Sequence, residues 1–257
     1  MKSPQVMLAF MVTCILIIYA APGAAQHREH LFDQGNQLFQ KGEYSKALQK
    51  YNEILQMQYE SSELYYNMGN CYYKLGQPPR AILFYERALR LNPHDEDIRF
   101  NLQVANLSAV DRIQAIPELF YVQYFKQFRS YFSLHSLTLI SLLSYFLLTG
   151  LISLWLLTRS TGARRILKIF TLIILIVTIL SSSLFISKIL LARQDIEAII
   201  MSPAVIVRSA PGSDATEIFT IHEGLKVRIT SHRGDWSEIR LPDGKEGWLL
   251  LSTFEVI

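Results

Sequence analysis

SLHSLTLISLLSYFLLTGLISLWLL, residues 133–157, and IFTLIILIVTILSSSLFIS, residues 169–187, decide the architecture, and neither stretch contains Asp, Glu or Arg. A bilayer core of about 30 Å is crossed by about 20 apolar residues in helix, whereas a soluble helix of that length keeps a polar face. The sequence therefore predicts a transmembrane hairpin, with helices over 133–157 and 169–191 and a basic loop over 158–168. The loop holds Arg159, Arg164, Arg165 and Lys168 and no acid. By the positive-inside rule it is cytoplasmic, so both flanks lie on the opposite side. Lys188 can run its stem along lipid and keep its ammonium at the interface. His135 and Ser181 to Ser183 would suit a polar path, but helical serines more often bond their own backbone or allow close packing, and no transport path is read from them.

The 257 residues leave room for one or two small domains beside the spans. With 25 basic against 22 acidic residues the formal charge is +3, and the excess sits at the membrane flanks. That is not a nucleic-acid footprint. Cys14 and Cys71 are the only cysteines, too few for a disulfide framework or a cysteine metal site. Lys2, the apolar run Val6 to Ala20 and the small residues Ala21 to Ala25 predict a secretory signal over 1–25. Such a signal exports the chain from Gln26 onward, in agreement with the loop charges. An uncleaved anchor would give the same topology with a third span.

Residues 26–112 repeat themselves at a shift of 34. Gly35 maps to Gly69, Asn36 to Asn70, Gly42 to Gly76, Ala47 to Ala81, Tyr51 to Tyr85 and Leu55 to Leu89. The pattern reads as helix, turn, helix, with Gly35 and Gly69 permitting close approach and Gly42 and Gly76 closing the first helix of each pair. Asp95 to Arg112 begins a third unit without completing it, and Ile98, Leu102 and Ala105 keep one apolar face that suits a cap. The segments 64–70 and 81–93 closely resemble the tetratricopeptide repeat (TPR) family. The resemblance implies a partner groove lined by first helices, with Asn36, Tyr66, Asn67, Asn70, Tyr73 and Asn101 as candidates, while Tyr65 and Tyr72 read as packing residues. The basic positions of a carboxylate-clamping TPR fall on Phe32, Asp97 and Asn101, so that ligand mode is not expected.

Residues 113–132 form an aromatic juxtamembrane linker, where Phe120, Tyr121, Tyr124, Phe125, Phe128, Tyr131 and Phe132 accompany Lys126 and Arg129. That is the composition of an interfacial segment.

Over 195–257 the leucine-rich pattern gives way to short strand-like runs, 199–201, 205–207, 217–221, 225–229, 236–241 and 247–250, separated by Gly-bearing turns. A small all-β barrel is expected. The motifs 207–211, 223–227, 234–239 and 244–249 resemble the bacterial SH3 (SH3b) domain, a resemblance that implies a ligand site among Arg208, Trp236 and Trp248. Barrel packing is the competing reading for each Trp. No nucleophile stands at a recognisable spacing from His222 or His232, and no enzyme, cofactor or metal is expected.

Taken in order, the expected fold is a multidomain membrane protein of all-α TPR repeats, a two-helix transmembrane hairpin and an SH3-like barrel. That order resembles the BatE family of the bacterial aerotolerance (Bat) operons. The resemblance implies an inner-membrane protein with its modules in the periplasm, working beside von Willebrand A-domain membrane proteins and a MoxR-type ATPase in stress tolerance or envelope assembly. The residues themselves establish two interaction modules on one hairpin, which suits either a scaffold that recruits proteins or a receptor that reads peptidoglycan.

Overall fold

The computed structural model describes residues 25–111, 113, 119–194 and 196–257. The signal pattern up to Ala24 and residues 114–118 of the linker lie outside the described residues.

The helical module is built from α1 (25–40), α2 (Tyr44–Gln56), α3 (Ser62–Lys74), α4 (Pro78–Leu91) and α5 (Glu96–Asn106). Gly42 and Gly76 end α1 and α3 at φ of +78° and +70°, a conformation a side chain would strain. Ser61 Oγ accepts from Leu64 N, Pro78 opens α4 at its first turn, and Asp95 accepts from Ile98 N, each a residue type suited to a helix start. Between the helices, Tyr51, Leu64, Met68, Ile82, Leu83 and Tyr85 are fully buried, and Tyr65 and Tyr72 are buried as expected of packing residues. The third unit's helix stops at Asn106, short of the Arg112 the sequence suggested.

After α6 (Phe120–Ser130) come two helices long and apolar enough to cross a membrane, α7 (Leu134–Leu157) and α8 (Thr161–Gln194). At about 1.5 Å per residue, the 24 residues of α7 reach roughly 36 Å. Leu137, Ser144 and Ser181 are buried, while most other side chains face outward. The ammonium of Lys188 donates to the Phe132 carbonyl, which puts the end of α8 beside the start of α7 and makes the pair antiparallel. One boundary differs from expectation. The break between the helices is Thr158 to Ser160, and α8 begins at Thr161, so Arg164, Arg165 and Lys168 lie on its first turns. Ala, Arg, Ile, Leu and Lys come after Gly162 with no proline, and nothing there opposes helix.

The C-terminal module is an antiparallel sheet in the order β3-β2-β6-β5-β4-β1-β7, with β1 (Ile196–Ile200), β2 (Ala204–Arg208), β3 (Glu217–His222), β4 (Lys226–Arg233), β5 (Trp236–Arg240), β6 (Glu246–Leu250) and β7 (Phe254–Val256). Its core holds Ala198, Ile200, Val205, Val207, Ile221, Val227, Ile229, Ile239 and Leu249. β1 departs from alternation: Ala198, Ile199 and Ile200 are all buried. A strand is buried on both faces only when something covers its second face. Here Ile199, with Ile257, joins the helical core.

The two modules are thus docked. Lys226 Nζ bridges Glu86 of α4 at 2.9 Å and Glu197 of β1 at 2.7 Å. Arg87 donates to Glu255 Oε1 at 3.1 Å and to the Val256 carbonyl at 2.6 Å, and Arg90 donates to the Ile257 carbonyl. Past the end of α5, Asp111 accepts from the His222 backbone N–H at 2.6 Å and lies 3.0 Å from its Nδ1. The β module thereby adds packing and ion pairs to the short repeat stack.

Candidate functional site

Three first helices carry a row of amides that repeats with the same period of 34 as the sequence. Asn36 Oδ1 accepts from the Tyr51 hydroxyl at 2.7 Å and from Asn67 Nδ2 at 3.0 Å. One repeat later, Asn70 Oδ1 accepts from the Tyr85 hydroxyl at 2.7 Å and from Asn101 Nδ2 at 3.2 Å. Asn101 Nδ2 also donates to the Tyr66 hydroxyl at 2.8 Å. The tyrosines are held by glycines: a Cβ on Gly35 would stand 2.4 Å from the Tyr51 ring, and one on Gly69 2.6 Å from the Tyr85 ring. Burial pushes the hydroxyls of Tyr51 and Tyr85 well above the usual phenol range, so both stay protonated donors at neutral pH.

Each of Asn36 and Asn70 therefore spends its oxygen on two internal donors. Their amide N–H groups, and the oxygens of Asn67 and Asn101, have no partner among the described residues. The row runs across α1, α3 and α5, whereas the β module covers α4. Tyr66, Asn67, Asn70 and Asn101 are half-buried and Tyr73 is exposed, so five of the six candidates sit in one connected surface with Tyr73 one turn beyond Asn70.

On the β module, Arg208 of β2 pairs across from Trp248 of β6, and Trp248 from Glu238 of β5. Directly opposed residues share a face, so a cation, an indole and a carboxylate stand side by side on three strands. Trp236 faces Leu250 in a neighbouring row of the same sheet face. Arg208 is anchored, donating to the Ala215 carbonyl at 2.7 Å and to Glu217 at 3.1 Å. Trp236 and Trp248 are half-buried, neither core residues nor free side chains.

Sequence reading missed the docking contacts. Lys226 is their centre: burial works against its charge, and the Glu86 and Glu197 carboxylates outweigh it, holding its pKa above the ordinary lysine value. The unbroken apolar run at Ile199-Ile200 was the available signal for a strand with two covered faces. In the hairpin, Ser181 bonds back to the Thr178 carbonyl of its own helix, the behaviour expected of it, and Thr178 and Ser187 bond their own helix in the same way. No group of His, Cys, Asp and Glu among the described residues is arranged to hold a metal ion.

The chain carries TPR repeats and a bacterial SH3 domain. Residues 62–95 match the tetratricopeptide repeat family, residues 35–76 a TPR repeat family, and residues 203–254 the bacterial SH3 domain family. Among solved structures, the Sgt2 TPR domain from Aspergillus fumigatus is similar at 25% identity with a TM-score of 0.30; the match covers 31% of this chain and 53% of that one. This chain therefore spans about half of that structure's length. No curated protein matches the chain.

Proposed function

We propose that this chain is a non-enzymatic scaffold of the bacterial inner membrane, anchored by its hairpin, that displays the TPR and SH3b modules in the periplasm and recruits a protein partner through the amide row of the first helices. The observation that carries this reading is the free hydrogen-bonding capacity of that row. The N–H groups of Asn36 and Asn70 and the oxygens of Asn67 and Asn101 offer donors and acceptors to the main chain of an extended peptide. The β module docks on α4 and leaves the row uncovered. Docking of the modules on each other also requires both on one side of the membrane, as a two-span hairpin provides. By resemblance to the BatE family, the partners are von Willebrand A-domain membrane proteins and a MoxR-type ATPase system, in a Bat-type complex linked to aerotolerance, oxidative stress or envelope assembly.

The Arg208, Trp248 and Glu238 row favours a second reading, a cell-wall receptor whose SH3b face binds peptidoglycan stem peptides. Pulldown with the full-length protein in detergent, run beside peptidoglycan sedimentation, separates the two. The scaffold reading expects protein capture that falls with Asn67→Ala and is indifferent to Trp248→Ala. Sedimentation with peptidoglycan that is lost in Trp248→Ala, without protein capture, favours the receptor.

A further inference from the structure

Helix α6 carries its aromatic residues on one side. At about 100° per residue, Phe120, Tyr121, Tyr124, Phe125 and Phe128 fall within a stripe roughly 140° wide that Tyr131 continues at the C-cap, and Gln123 and Lys126 lie away from it. The rings are not packed away: Phe120 is 71% exposed, Tyr124 69%, Phe125 50% and Phe128 52%. In water such a stripe would be an unfavourable surface on a monomer.

The elements adjoining the stripe identify its cover. α6 ends at Ser130 and α7, a helix long and apolar enough to span, starts at Leu134, so the stripe lies within one turn of the hydrocarbon boundary. The elbow is tied to the second span by the bond from Lys188 to the Phe132 carbonyl. Arg129, half-buried at the edge of the stripe, accepts at its carbonyl from the Phe132 N–H at 3.4 Å, and the Phe132 carbonyl takes the Lys188 ammonium, so two basic residues from different elements converge on this elbow. Two like charges held together by different elements are stabilised by an anion between them. Tyr131 stacks on His94 of the α4–α5 connection at 5.1 Å, so the repeat stack touches the same elbow.

We propose that α6 lies along the bilayer surface at the outer mouth of the hairpin, with its aromatic stripe immersed at the interface and with Arg129 and Lys188 holding the phosphate of an anionic phospholipid. Aromatic rings at the level of the headgroups and basic side chains beside anionic lipid are the two standard contributions to such binding. The helix then serves as a floor that fixes the height of the repeat stack above the membrane through the His94 and Tyr131 contact. This rests on the proposed reading that the hairpin spans the membrane, and the test separates the two.

Nitroxide labels are placed singly at Tyr124→Cys, Gln123→Cys and, at mid-span, Ile176→Cys in the full-length protein, reconstituted into vesicles of phosphatidylcholine with phosphatidylglycerol. Power saturation should show the Tyr124 label favouring oxygen over a water-soluble nickel complex, the Gln123 label the reverse, and the Ile176 label deepest. An Ile176 label in lipid with Tyr124 and Gln123 labels equally aqueous overturns the surface helix and leaves the hairpin standing. An aqueous Ile176 label overturns both. For the headgroup, native mass spectrometry of the protein released from the same vesicles should show phosphatidylglycerol retained in preference to phosphatidylcholine. Arg129→Gln with Lys188→Gln should reduce that preference by about thirtyfold, the scale of two interfacial cations, and Arg129→Lys with Lys188→Arg should keep it. Retention without preference in the unaltered protein, or a preference unchanged in the glutamine variant, overturns the lipid site.

Discussion

The hydroxyl of Tyr85 donates to Oδ1 of Asn70 at 2.7 Å while its ring lies over Gly69, and Tyr51 does the same to Asn36 at 2.7 Å over Gly35. The candidate amides are thus half structure and half surface. Asn70→Ala strands the hydroxyl of a tyrosine that is 1% exposed, which should cost about 1–3 kcal/mol. Asn67→Ala removes only a donor to an oxygen that keeps its tyrosine partner, and should cost about 0.5–1.5 kcal/mol. Circular dichroism melting of the full-length protein in detergent should rank Asn70→Ala clearly below Asn67→Ala; equal melting would mean that the tyrosine bonds contribute nothing.

Gly69→Ala tests the other half of the same unit. The added methyl would meet the Tyr85 ring at 2.6 Å, and overpacking of a buried site costs about 1–3 kcal/mol. Trimming the ring should relieve it, so Gly69→Ala with Tyr85→Leu should be less destabilised than the sum of the single variants in the same melting experiment.

Lys226 should govern docking of the β module. Because its folded pKa is raised, the stabilisation it supplies is present below the ordinary lysine value of about 10.4 and is lost as pH climbs through the folded value. Hydrogen exchange over α4 and β1 should accelerate in Lys226→Met at neutral pH, and the unaltered protein should show the same change only in strong alkali. Glu86→Lys with Lys226→Glu should recover part of the protection. Unchanged exchange in Lys226→Met would show that Ile199 and Ile257 hold the modules together without the ion pairs.

Much of this fold was legible in the chain because its signals are local. The shift of 34 marked the helix pairs, the lack of charge marked the two long helices, and the short runs matched four of the seven strands closely, while β1 starts three residues earlier and β4 runs four residues further than read. β7 was missed because Phe254-Glu255-Val256 is too short to show a period. The hairpin turn was drawn too long because charge, which marks the membrane boundary, does not mark the end of a helix. Docking was illegible for a different reason. Lys226 and Glu86 are 140 positions apart, and neither differs in type from any surface residue. The amide row was found as a set, but that Asn36 and Asn70 are committed to tyrosines depends on how two helices cross.

Cys71 is fully buried, and burial pushes its thiol up to about 12, with Tyr65 raised to about 12 for the same primary reason. Both groups are neutral when buried and ionise more readily in the unfolded chain, so the stability they confer is complete below about pH 8.5, the ordinary thiol value, and declines toward pH 12. A maleimide should modify Cys71 at pH 8 only in denaturant. Rapid modification of the folded protein at pH 8 would show that the helical core opens locally.

That protection makes membrane topology testable with introduced thiols, since Cys71 contributes no background in the folded protein. The guanidinium of Arg164 sits 5.9 Å from the Trp155 ring, a cation and an indole from opposite arms of the hairpin at the end bearing Arg159, Arg165 and Lys168, as an interface on the positive side requires. A thiol at Ser213 should be labelled from outside intact spheroplasts and one at Thr161 only after lysis. Val177→Arg, at the middle of α8 on its outward face, should weaken insertion by about 2.5–3.5 kcal/mol. Neutralising Arg164 and Arg165 should leave insertion intact and mix the orientations, because those charges choose a side and do not provide the hydrophobic drive. Labelling of Thr161 from outside in the unaltered background would reverse the orientation. Normal accumulation of Val177→Arg in the membrane fraction would mean that α8 is held there by something other than spanning it.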